Sequence, residues 1–142
     1  MSNLLVQNIK HTNNTTAQTI DTSGRTTALL NNDTTYRSDS GAVTQNMVQG
    51  LAKSFIRCPQ NGASISSSFN ITSLTDVSAG RTTVIIANNM ANANYSVAEC
   101  TDENINQSWC DDIATGQYDH DTYTGSGYLD IGKMSQTFGD LA

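Results

Sequence analysis

The amino-acid sequence predicts a mainly β protein: an extended N-terminal arm of short strands, then a small antiparallel β-sandwich or barrel-like domain. Short runs rich in β-branched residues alternate with clusters of Asn, Asp, Gly and Ser along most of the chain, as strands separated by turns do. One helical stripe interrupts them, and Gly50 falls inside it. Asn, Ser and Thr make up about a third of the 142 residues, and hydrophobic residues only 37%. At about 25 cal/mol per Å² of apolar area, one copy this polar has little to set against its ordering entropy. Charged residues are 14%, too few for the usual disordered chain. Burial shared between copies reconciles the two.

Residues 1–41 read as the arm. Leu4 to Lys10 is a strand candidate, broken by Thr12-Asn13-Asn14. Thr15 to Asp21 is a second, and Thr22-Ser23-Gly24-Arg25 supplies the glycine of a tight turn. Thr26 to Leu30 is a third, ended by Asn31-Asn32-Asp33. None of these pieces buries both faces within one chain. Leu4, Leu5, Val6, Ile9 and Ile20 are therefore the candidates for self-association or docking.

Residues 42–52 form a short helix or linker. Val43, Met47, Val48, Leu51, Ala52 and Phe55 recur at helical spacing, but Gly50 costs roughly 1 kcal/mol relative to Ala. From residue 53 to 142 the reading is a β-rich domain with acidic loops. Ser54 to Cys58 ends at Pro59, and Asn61-Gly62 is a hairpin signal. Ala63 to Ile71, Arg81 to Ala87 and Tyr95 to Cys100 are further strands, with a turn cluster from Asp76 to Gly80. Beyond Thr101 the chain reads as acidic loop, with a last short strand from Gly127 to Ile131; the tail from Met134 to Ala142 shows no assignable pattern.

Two blocks of the chain resemble small tail-fibre proteins of tailed, especially marine, bacteriophages. The first runs from Ser2 to Thr12, through Thr15-Thr16-Ala17, to Ile20-Asp21-Thr22-Ser23-Gly24-Arg25. The second comprises Val48 to Lys53, Phe55, Asn61-Gly62, Ser68-Phe69-Asn70 through Asp76, and Met90 to Val97. The resemblance implies a homotrimeric fibre protein of the virion, its N-terminal end toward the particle, its distal end toward host-surface glycan or an outer-membrane protein. Phe55 stands where that family usually has tryptophan, and Asp76-Val77-Ser78-Ala79-Gly80 where it has a glycine-rich turn. After Val97 the likeness ends, so the acidic C-terminal third inherits no role. A head-decorating or tail-completing cement protein, without host binding, is the alternative.

Composition narrows the chemistry. A net charge of −6 with scattered cations disfavours nucleic acid, which needs clustered Lys and Arg. No apolar run approaches the roughly 20 residues of a membrane span, and no signal-peptide layout is present. Assembly in a host cytoplasm and reduced Cys58, Cys100 and Cys110 are the expectation. No nucleophile motif, phosphate loop or paired Cys/His spacing occurs, so no catalytic residue and no cofactor are expected. Asp119 and Asp121 are weak candidates for Ca²⁺, and a glycosidase pair among the acids is the enzymatic rival. Trp109, Tyr118 and Tyr123 are candidate receptor or interface contacts.

Overall fold

The computed structural model describes residues 8–10, 16–28, 30, 34–37, 44–59, 64–102 and 107–142. Strands β1 (Asn8–Lys10), β2 (Thr16–Ile20) and β3 (Thr26–Ala28) make a three-stranded antiparallel sheet in chain order. The β2–β3 turn is set by Asp21, whose Oδ1 accepts the backbone N–H groups of Ser23 and Arg25 at 2.9 and 2.8 Å. Such a side chain mimics a backbone turn. Strands β4 (Thr35–Arg37) and β5 (Thr44–Asn46) pair antiparallel. A single turn of helix, α1 (Met47–Gly50), follows, capped by Asn46 Oδ1, which accepts the Gln49 N–H at 2.8 Å. The helical stripe thus shrinks to one turn, and the linker region is partly strand.

The rest is two antiparallel sheets facing one another across a shared core, neither closed into a barrel. The first contains β6 (Ala52–Cys58) and β7 (Ser67–Phe69). The chain then crosses to the second sheet with β8 (Ile71–Ser78) and β9 (Arg81–Ile86). It returns to the first sheet with β10 (Ser96–Thr101), and adds β11 (Gln107–Ala114), β12 (Gln117–Thr124) and the short β13 (Gly127–Tyr128) to the second. Strand β14 (Lys133–Phe138) closes the chain. Sheet orders are β10-β14-β6-β7 and β11-β12-β9-β8, with β13 on β12.

Three sequence expectations change here. Of the strand expected from Ala63 to Ile71, the described residues 64–71 do not form one strand, because Asn70 takes a left-handed conformation (φ 57°) at the crossing between sheets. Asn tolerates this region, and its amide ties the corner together, donating to the Lys53 carbonyl at 2.9 Å and accepting the Asn88 N–H at 2.8 Å. Of the tract read as acidic loop, Gln107–Ala114 and Gln117–Thr124 form the β11–β12 hairpin, and residues 103–106 lie outside the described ones. The tail without a pattern is β14, an interior strand paired with both β10 and β6.

The apolar core is small: Ile56, Val84, Ile86, Met90, Tyr95 and Tyr118, edged by Ile71, Leu74, Val97 and Leu141. Hydroxyls fill much of the remaining interior. Ser54, Thr82, Thr122, Ser135 and Thr137 are all buried. Ser54 and Thr137 share a 2.8 Å hydrogen bond, and Tyr118 Oη and Ser135 Oγ join the two sheets at 2.7 Å. A buried hydroxyl is tolerated when bonded and costly when not, so the Ser/Thr-rich composition supplies an interior as well as a solvated surface.

Candidate functional site

Side chains alternate across a strand, and the β11–β12 hairpin uses both faces for ionisable groups. Cys110 lies opposite His120 and Asp111 opposite Asp119. Thr82 and Thr83 of β9 continue these two rows on the other side of β12. Tyr118, His120 and Thr122 point into the core, whereas Asp119 and Asp121 join Arg81 on the outer face. A bulge at Asp112 (φ 46°) breaks the alternation of β11 and keeps Asp112 on that outer face beside Asp111.

Arg81 organises the outer face. Its Nε and Nη2 donate to the two oxygens of Asp121 at 2.9 and 2.8 Å, a planar fork on a carboxylate that is fully buried. Nη2 also reaches Asp111 at 2.9 Å, and Nη1 lies 3.7 Å from both Asp112 and Asp119. Thr83 Oγ1 donates to Asp119 at 2.6 Å. The Asp121 hydrogen bonds hold the guanidinium pKa above its usual value, and burial pushes the Asp111 carboxyl up. Trp109, Tyr123 and Tyr128 adjoin this cluster. Tyr128 packs edge-on against Trp109 at 6.0 Å and against Tyr123 at 5.4 Å, and remains 53% exposed.

The inner face is different. Lys133 is 1% exposed, yet all three ammonium hydrogens have acceptors: the Gly80 carbonyl at 2.8 Å, Thr82 Oγ1 at 2.9 Å and the His120 carbonyl at 3.0 Å. Burial lowers its pKa. Gly80 must be glycine here: its φ is +74°, and a Cβ would lie 2.5 Å from the Thr122 carbonyl oxygen. Nearby, ligand atoms of Glu99, Cys110 and His120 lie within 4.8 Å of one another. Cys110 Sγ donates to Glu99 Oε2 at 2.8 Å, and His120 Nε2 stands 3.8 Å from the same oxygen. Burial raises both the Glu99 carboxyl and the Cys110 thiol, while burial and Lys133 lower His120 to about 4.

The candidates read from sequence are distributed as follows. Leu4, Leu5 and Val6 lie outside the described residues, Ile9 falls in β1, and Ile20 is half-buried in β2. Trp109 and Tyr123 are half-buried on the outer face. Tyr118 is fully buried in the core, so its ring is a packing element and not a surface contact. Asp121 is taken up by Arg81; the carboxylates with mutual spacing below 4.8 Å are Asp111, Asp112 and Asp119. Arg81, Lys133, Glu99 and the Cys110–His120 pair were not singled out by the sequence. All three cysteines are free thiols. Among the described residues no helix is long and apolar enough to cross a membrane. Compared with protein-family models, curated proteins and solved structures, the chain matches none of them.

Proposed function

We propose that this chain is a non-catalytic structural protein of a tailed-phage virion, of the tail-fibre type, which acts as a homotrimer and contributes to attachment at the host surface. One observation carries the reading: of residues 18–28, 30, 34–36 and 45–52, the positions before Lys53 whose burial is described, none is buried. The leading strands make two small sheets, of three and two strands. Isolated sheets of this size are marginal in water, so a partner surface is needed. Leu30, Val48, Leu51 and Phe69 line one apolar groove, and Phe55 stacks on Phe69 at 6.3 Å. A second and third copy are the proposed occupants of that surface. The sequence likeness to tail fibres supplies the virion setting, with assembly in the host cytoplasm.

On this reading the two-sheet unit is a distal β-sandwich, and the Trp109–Tyr123–Tyr128 face is its contact surface. Aromatic rings beside hydrogen-bonding carboxylates suit a host glycan, and repeated copies compensate for weak single-site affinity. The test is the mass of the purified full chain by sedimentation, with its position on intact particles. Three chains per particle in solution, lost in Leu51→Asp/Phe69→Asp, and a three-fold projection fixed at one end are the expected results. A flat array across several head subunits favours the cement protein. A monomer that melts cooperatively at dilute concentration, with the amides of β1–β3 protected from exchange, overturns the proposal.

A further inference from the structure

Where the open edges of the two sheets meet, β10 ends one sheet and β11 the other. Glu99 comes from β10, Cys110 from β11 and His120 from β12. His120 is 1% exposed, and its Nε2 has no hydrogen-bond partner among the described residues. A buried imidazole nitrogen is seldom left so, because losing water without replacement is costly. It lies 3.8 Å from the Glu99 carboxylate, and a ligand atom of each of Glu99, Cys110 and His120 lies within 4.8 Å of the other two.

We propose that Glu99, Cys110 and His120 form a binding site for one divalent transition-metal ion, Zn²⁺ by the chemistry of the set, which clips the two sheets together at this edge. A thiolate, an imidazole and a carboxylate are the donors Zn²⁺ uses, at about 2.0–2.3 Å each. Two anionic ligands neutralise the dication, so the buried site carries no net charge. The His120–Glu99 separation of 3.8 Å suits a shared ion. The 2.8 Å Cys110–Glu99 hydrogen bond must open slightly. The thiol proton leaves to solvent as sulfur binds the ion, and water completes the fourth position. Glu99, half-buried at the rim, is the entry. The outer trio Asp111, Asp112 and Asp119 offers oxygen alone and already faces the Arg81 guanidinium, so it does not compete for a thiophilic ion.

The experiment is titration of the full-length, reduced chain with Co²⁺ and Zn²⁺. One Co²⁺ per chain is expected, with thiolate-to-cobalt charge-transfer absorption that Zn²⁺ abolishes by displacement. Zn²⁺ at a hundredfold excess over its Kd raises the melting temperature by about 5–10 °C. Cys110→Ser loses the absorption and the melting shift, His120→Gln weakens binding on the order of a hundredfold or more, and Cys100→Ser changes neither. Should Cys110→Ser fold poorly, protection of wild-type Cys110 from alkylation by Zn²⁺, located by peptide mass, gives the same answer. Absence of the thiolate absorption at millimolar ion, its persistence in Cys110→Ser, or binding abolished by Asp112→Asn instead, each overturns the proposal.

Discussion

Between the sheets, Lys133 is enclosed by three uncharged oxygens; on the outer face of the same hairpin, Arg81 is surrounded by four carboxylates. The inner cation is held by fixed dipoles, one from a left-handed glycine turn, and each hydrogen is bonded. Such a cage spares the interior a second desolvated charge. The outer cation sits in excess negative charge that only solvent access makes tolerable. One strand pair thus joins an interior whose cation is held by dipoles to an acidic surface, and the two respond differently to pH.

Removing the inner cation has the largest expected effect. Lys133→Ala opens a cavity and strands three buried acceptors, which together cost about 3–4 kcal/mol, measured by urea unfolding. Lys133→Met keeps the stem and removes the desolvated charge, so it is expected to recover about half of that loss. Equal losses in the two variants would mean that the ammonium bonds, and not the packing, hold the sheets together here.

A smaller effect is expected on the outer face. Arg81→Met leaves Asp121 buried without its fork and the other carboxylates repelling one another, lowering the melting temperature by about 5 °C at neutral pH. Burial holds the Asp111 carboxyl above its usual value, and loss of the guanidinium that lowers it raises it further in the folded state. A carboxyl raised on folding confers stability that is complete below its unfolded pKa and lost as pH rises. The deficit of Arg81→Met against wild type therefore shrinks on acidification toward pH 4, while that of Lys133→Ala does not. A deficit for Arg81→Met that is independent of pH would place its role in packing.

The contrast also explains what was legible in the sequence. The antiparallel β character and the strands around Ile56, Val84 and Val97 follow from alternation of apolar residues. Strand β14 alternates as cleanly, but with polar residues inside, Lys133, Ser135 and Thr137, while β12 is buried on both faces, with His120 and Thr122 on the inner one. Hydrophobic periodicity is blind to a face built from hydroxyls and a lysine. Thr115-Gly116 marks the turn between two eight-residue strands, but a plain turn there would set Cys110 opposite Asp121. The bulge at Asp112 shifts the register by one, and only that shift puts Cys110 opposite His120 and Asp111 opposite Asp119. Glu99 has no comparable local signal, because its nearness depends on two sheets meeting. Likewise Arg81 opposes Asp121 only through the pairing of β9 with β12.

The smallest expected effect sharpens the inner side of the comparison. Tyr95 is buried, and its hydroxyl lies 2.9 Å from the carbonyl oxygens of both Ala114 and Gln117, at the turn of the hairpin. Burial, with a contribution from Cys110, pushes the phenol up to about 12 from 10.0. Tyr95→Phe leaves those carbonyls without their donor and costs about 1 kcal/mol at pH 7. Above pH 10 the unfolded phenol ionises first. A raised folded pKa confers stability that is complete below the unfolded value and lost as pH passes through the folded one. Wild type should therefore lose on the order of 2–3 kcal/mol from this residue between pH 10 and 12, a loss the variant escapes. The stability curves of the two proteins, followed by denaturant unfolding, should cross near pH 11, Tyr95→Phe being the more stable beyond it. Parallel curves would show that an ionised phenol is accommodated at the hairpin turn.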